Sequence, residues 1–143
     1  MPEAQAFFIP LTVSEGMLDP QNHVNNVAYV KLVQDAALAH WYHLAPPNAL
    51  ESVTWVCRRH EVDYLKPAYL ADELQIKTWV GEPSGATWER FTEITRLTDR
   101  ALVLQARTVW VLLDAKTGRP KRVDASVKSW FGVLARTDSA GET

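Results

Sequence analysis

One stretch of the chain concentrates polar chemistry. Asp19 to Tyr29 reads DPQNHVNNVAY, with one carboxylate, one histidine and three asparagines just before the most helix-like run. Asn25 and Asn26 are both good N-cap residues, so a helix is expected to begin at one of them. Its first turn leaves backbone N–H groups without intrahelical partners, and the macrodipole adds partial positive charge there. Such an end can polarise a carbonyl and stabilise an oxyanion. Asp19 stands a few residues upstream, on the turn that feeds the helix. A carboxylate facing a polarised carbonyl either attacks it or takes a proton from a water that does. Those two parts suffice for acyl transfer to water. The same residues also suit a structural role, because Asp-Pro opens turns and asparagines cap helices without doing chemistry. His23 is open in the same way, as a base or as a group that holds the loop by hydrogen bonds. His40 and His43 form only an i, i+3 pair, so no metal site is expected.

The rest of the chain must position that cluster. Its 143 residues suit one domain, 1–143, with a loose tail from about Thr137. At 47% hydrophobic and 22% charged, it can bury a proper core. A formal net charge of −2 and no basic run beyond Arg58-Arg59 and Lys121-Arg122 argue against a nucleic-acid partner. Cys57 is the only cysteine, which excludes an internal disulfide and favours a reducing compartment. Its setting in VTWVC reads as that of a small buried hydrophobe. No signal sequence or membrane-length apolar run is apparent, and a cytoplasmic location is the expectation.

Ala6 to Val13 reads as a first strand, confined by Pro10 to an edge or a bulge. From Val27, the residues Val27, Val30, Val33, Ala37, Trp41 and Leu44 recur at helical spacing, so this helix should be covered on most sides. It should end near Pro46-Pro47. Four strand-like runs follow: SVTWVCRRHEVDYL, ELQIKTWV, ATWERFTEITRL and ALVLQARTVWVLLD. KPAYLAD, GEPSG, TDR and DAKTGRP read as the turns between and after them, which implies antiparallel neighbours. DASVKSWFGVL offers a short last helix with Asp124 or Ser126 as cap and Val127, Trp130 and Leu134 on one side. The fold class is α+β: one long helix wrapped by an antiparallel sheet of about five strands. One helix covers one face of such a sheet, so a second copy of the chain is expected on the other face or at the edge.

DPQNHVNNVAYVKLVQDAA resembles the N-terminal signature of the hotdog-fold acyl-CoA thioesterases, in the 4-hydroxybenzoyl-CoA thioesterase-like family. The likeness continues through HEVDYLKPAYLADELQIKTWV, ERFTEITR and VWVLLDAKTGRPKRV, roughly Ala6 to Leu134. The resemblance implies hydrolysis of an acyl-CoA to free acid and CoA, in a homodimer or homotetramer (a dimer of dimers). It implies no cofactor beyond the coenzyme A of the substrate, and no membrane partner. Asp19 matches the catalytic aspartate, as nucleophile or general base. Asn26 matches the helix-start position whose backbone N–H serves the oxyanion. His23 and Asn25 match positions that shape the pocket, and Tyr29 completes the HVNN-x-x-Y core as a substrate-side residue. Asp35 matches a helical carboxylate of the family, although an i, i+4 pair with Lys31 explains it equally well. Asn22 departs from the family, where glycine is frequent; asparagine tolerates the same left-handed backbone. For the phosphates of CoA the family uses surface basic residues, for which Arg58, Arg59, Lys66 and Arg90 are the candidates. The same fold serves acyl-carrier-protein thioesterases, non-catalytic acyl-CoA binders and dehydratases, so function rests on the site. Trp41, Trp55, Trp79, Trp88, Trp110 and Tyr29 could line an acyl pocket, but aromatic residues on strands are more often core.

Overall fold

A computed structural model describes residues 4–132. Strand β1 (Ala4–Thr12) leads through a single 3-10 turn (Glu15–Met17) and the Asp19 loop into helix α1 (Asn26–Leu44). Then come α2 (Pro47–Ser52), β2 (Val53–Tyr64), β3 (Glu73–Ser84), β4 (Thr87–Arg96), β5 (Ala101–Asp114) and α3 (Ala125–Trp130). The five strands form one sheet in the order β1-β3-β4-β5-β2, with every neighbouring pair antiparallel. Among the described residues, no helix is long and apolar enough to cross a membrane.

Strand alternation decides which side of the sheet meets α1. Leu74, Ile76, Thr78 and Val80 of β3 are buried, as are Trp88, Arg90, Thr92 and Ile94 of β4. Tyr29, Val33 and Ala36 of α1 join Leu74, Ile76, Ile94 and Leu104 in one core cluster. A second cluster gathers Trp41, Trp88, Leu112, Val127 and Phe131 around the far end of the helix. Each large apolar side chain buried this way contributes roughly 1.5–3 kcal/mol. Asp124 is the cap of α3, accepting from the Val127 N–H at 3.0 Å. Leu134 and the tail lie outside the described residues.

Three expectations need correction, and one holds with an addition. α1 is covered on one side only: Val27 is 79% exposed, and Leu38 and Tyr42 also face outward. The apolar repeat is real, but no element among the described residues covers its second face. The proline pair does stop α1, yet Pro47 also starts α2, since a proline at the first helical position loses no hydrogen bond. GEPSG is not all turn, because β3 runs on to Ser84 through an irregularity between Val80 and Pro83. The described part of β1 stops pairing at Val80, so on that side Pro83 faces no strand that needs its missing N–H. Finally, KPAYLAD is no hairpin turn. β2 and β3 lie at separate places in the sheet, with β5 and β4 between them. Residues 65–72 therefore cross the end of the sheet, and this crossing passes over the start of α1.

Candidate active site

The loop before α1 is built by its own backbone. Leu18 and Val24 form an isolated antiparallel bridge; the Asp19 N–H donates to His23 O at 2.8 Å, and the Asn22 N–H to Asp19 O at 2.9 Å. Asn22 sits at φ 66°, the left-handed backbone that glycine or asparagine accepts most readily. Inside this turn Asp19 Oδ1 accepts from the Gln21 N–H at 2.9 Å and the His23 N–H at 3.1 Å. Oδ2 has no donor among the described residues. One carboxylate oxygen is thus fixed by the backbone while the other is left for a ligand.

The helix start is fixed just as locally. Asn25 is the N-cap: its side-chain oxygen accepts the Ala28 N–H at 2.7 Å, and its own N–H donates to Met17 O at 2.9 Å. The amides of Asn26 and Val27, the first two of α1, have no acceptor among the described residues. Asn25→Ala is expected to lower unfolding stability by about 1 kcal/mol, the usual value of an N-cap, read as a shift in urea midpoint.

Asp19, His23, Asn26, Tyr29 and Lys66 line one open cleft of ≈ 610 Å³, with Tyr64 and Pro67 on its other wall. Asp19 is half-buried. Tyr29 is buried, its hydroxyl has no hydrogen-bond partner among the described residues, and burial raises its pKa. The His23 ring meets Tyr69 edge-on at 5.3 Å and its backbone bridges to the same residue. The crossing segment 65–72 supplies the opposite wall, and Arg96 holds it there: Nη1 donates to Pro67 O at 2.6 Å. Asp99 grips the same guanidinium at 3.0 and 2.7 Å, and that contact holds the Asp99 carboxyl down at about 2. Arg96, Tyr64 and Pro67 were not singled out from sequence. The only trace was Asp99 three residues after Arg96, a spacing too common to mark a site.

Other candidates fall elsewhere. Asp35 is exposed and pairs with Lys31 at 2.7 Å, nine residues along α1 from Asn26, or about 13 Å at 1.5 Å per residue. Asp35→Asn is expected to change stability by no more than about 0.5 kcal/mol in urea unfolding. Arg58 and Arg59 are exposed where the pairing of β2 with β5 slips, and Arg59 is paired with Glu61 at 2.7 Å. Neither lines the cleft of Asp19. Arg90 is a clear correction. It is 4% exposed on the helix side of β4, in alternation with Trp88 and Thr92, and is no surface grip for phosphates. Cys57 is half-buried rather than a core residue, with Sγ 3.3 Å from His60 Nε2 and the His60 ring 3.0 Å from Thr108 Oγ1. Trp79 lies on the outer face, stacked on Phe91 at 5.7 Å, apart from the other tryptophans. Among the described residues, no three His, Cys, Asp or Glu side chains gather as a metal would need.

A long helix laid on a five-stranded antiparallel sheet is the hotdog architecture. The chain belongs to the Thioesterase-like superfamily, whose family model matches residues 13–131. Among solved structures, it is similar to a 4-hydroxybenzoyl-CoA thioesterase carrying an aspartate-to-asparagine substitution and complexed with 4-hydroxybenzoyl-CoA. That match has TM-score 0.81 and 17% identity, over 89% of this chain and 99% of the other. It is also similar to a 1,4-dihydroxy-2-naphthoyl-CoA thioesterase from Synechocystis, with TM-score 0.77 and 15% identity over 89% and 96% of the two chains. A 12:0-ACP thioesterase from Umbellularia californica matches with TM-score 0.76 and 16% identity, over 94% of this chain and 54% of the other. No curated protein matches the sequence.

Proposed function

We propose that this protein is an acyl-CoA thioesterase, hydrolysing an acyl-CoA to the free acid and CoA with Asp19 as the reacting carboxylate. One observation carries the reading: Asp19 has one oxygen held by two backbone amides and the other unbound, in the cleft that also receives the start of α1. The thioester carbonyl lies with its oxygen at the Asn26 amide, which stabilises the negative charge that develops there. Asp19 Oδ2 then either attacks the carbonyl carbon or takes a proton from a water that attacks it. By the general-base route the C–S bond breaks and the proton that Asp19 took from the water passes to the departing sulfur. By the nucleophilic route CoA leaves as a thiolate that takes a proton from solvent, and water then hydrolyses the mixed anhydride on Asp19 to the free acid. His23 and Asn25 keep the turn and the helix start in register, and Tyr29 and Lys66 face the substrate from the cleft walls. Lys66 is the best placed of the basic candidates for a CoA phosphate, with Arg58 and Arg59 outside the cleft in one protomer.

The protein acts as a homodimer or homotetramer. The uncovered side of α1, exposed Val56 on the edge strand β2, and exposed Phe8 on the edge strand β1 support this. A monomer in light scattering at micromolar concentration would exclude it.

A second reading, hydrolysis of acyl groups on acyl carrier protein, is favoured by the likeness to a 12:0-ACP thioesterase. Thiol release from one acyl chain on each carrier separates the two. A panel of aliphatic and aromatic acyl-CoAs is the primary test. Binding of acyl-CoA in calorimetry with no thiol released from either carrier would replace both enzymes by a non-catalytic binder.

A further inference from the structure

The far end of α1 buries a charge that no acidic side chain among the described residues neutralises. Arg90 Nη1 donates to Thr78 Oγ1 at 2.9 Å and meets His40 Nδ1 at 3.0 Å. Both partners are neutral. The Thr78 hydroxyl gives its own proton to Phe91 O at 2.9 Å. Burial first, then the Arg90 cation, pushes the His40 pKa down to about 3, and because a guanidinium only donates, Nδ1 is the acceptor of the neutral ring. The Phe131 ring lies 5.7 Å from Arg90 Cζ and adds a cation–π contact without charge. The neighbouring Glu89 alternates to the outer face, where Arg107 holds it at 2.6 Å. No carboxylate pairs with Arg90 among the described residues. Burial lowers the Arg90 pKa only to about 9, so the group remains a cation at neutral pH. A buried cation of this kind normally has an anion beside it.

The space for one is present. Arg90 lines a cavity of ≈ 20 Å³ between α1, the sheet and Phe131, walled by Trp41, Trp55 and Trp88. That is more space than a single water needs. Guanidinium Nε and Nη2 have no acceptor among the described residues. Trp110 lines the same cavity, and its indole N–H is buried without a partner. Among the described residues Trp110 Nε1 is the buried unpartnered side-chain atom there, and like the guanidinium it only donates; Glu89 also lines the cavity.

We propose that this cavity binds one small monovalent anion of the halide or formate class, held between the Arg90 guanidinium and the Trp110 indole N–H. The site is about 21 Å along α1 from Asn26, taking 1.5 Å for each of the 14 residues to His40. It is separate from the Asp19 cleft and independent of the thioesterase reading.

Crystals of the full chain soaked in sodium bromide should show an anomalous peak in the cavity, in contact with Arg90 and Trp110 Nε1. In solution, chloride or formate replacing the bulkier methanesulfonate at fixed ionic strength should give a saturable rise in Tm. A response to chloride alone assigns a halide, and one to formate alone assigns a carboxylate. Arg90→Met should abolish the rise, and Trp110→Phe, which removes one donor, should shift half-saturation several-fold higher. If Arg90→Met fails to fold, Trp110→Phe and the bromide map decide. A cavity holding water alone, the same Tm in all three salts, or an undiminished rise in folded Arg90→Met would overturn the proposal.

Discussion

Asp19→Asn is expected to slow acyl-CoA hydrolysis by about 10²–10⁴-fold, the range for loss of a positioned acid–base or nucleophilic group. The substitution is chosen for what it leaves alone. Oδ1 accepts the Gln21 and His23 amides, and the side-chain oxygen of asparagine accepts both in the same way. The left-handed turn at Asn22 and the approach to α1 therefore stay in place, and only the negative charge and the basicity of Oδ2 are lost. KM should change little if Asp19 acts mainly in the transition state. Asp19→Ala loses the turn contacts as well, so it should lower Tm where Asp19→Asn does not. Turnover by Asp19→Asn equal to that of the natural chain would remove Asp19 from the mechanism and leave the cleft without a reacting group.

The second large effect is acid destabilisation through His40. This ring is 2% exposed, stacked on Phe7 at 4.9 Å and edge-on to Phe131 at 5.0 Å, with Arg90 at its Nδ1. Protonating Nδ1 would break the Arg90 contact and set two cations side by side in the core. The folded pKa is thus about 3, against an ordinary value of 6.5. Between those values the unfolded chain binds a proton that the folded chain does not, so stability falls as pH falls through this window. The slope approaches ~1.4 kcal/mol per pH unit, and the loss from pH 6.5, where the unfolded imidazole is half protonated, to 4.5 is roughly 2.3 kcal/mol. His60, whose pKa is also lowered by burial, adds to the loss in the same direction. Urea unfolding at pH 7, 5.5 and 4.5 measures it, above the range in which Asp99 and Asp114 titrate. His40→Asn should be less stable at pH 7 but show a shallower pH slope. A natural chain equally stable at pH 6.5 and 4.5 would contradict the burial of a neutral His40.

The Arg90 cluster shows why some of this was hidden. Arg90 stood in sequence on the same β4 face as Trp88, Thr92 and Ile94, yet an arginine on a strand is most often solvated. Its type argued for the surface while its position argued for the core, and only the packing of α1 against that face resolved the conflict. The cleft wall was hidden for a different reason. KPAYLAD has the composition of a turn, and nothing local distinguishes a hairpin from a crossing between strands that never pair. That is fixed by the order β1-β3-β4-β5-β2, which depends on contacts far apart in the chain.

What the sequence determined by itself was local. The Asn25 cap, the Asx turn of Asp19, the left-handed Asn22 and the stop at Pro46 each depend on a few adjacent residues, whose backbone preferences are read directly from their types. The strand and helix periods, and with them the α+β class, follow from the same short-range geometry. Tertiary structure alone decided that residues 65–72 face Asp19, that Arg96 pins their carbonyl, and that Arg90 and Trp110 share one cavity. Those relations join residues 20 or more positions apart. They are set by how buried faces fit against one another, which no run of neighbouring residues encodes.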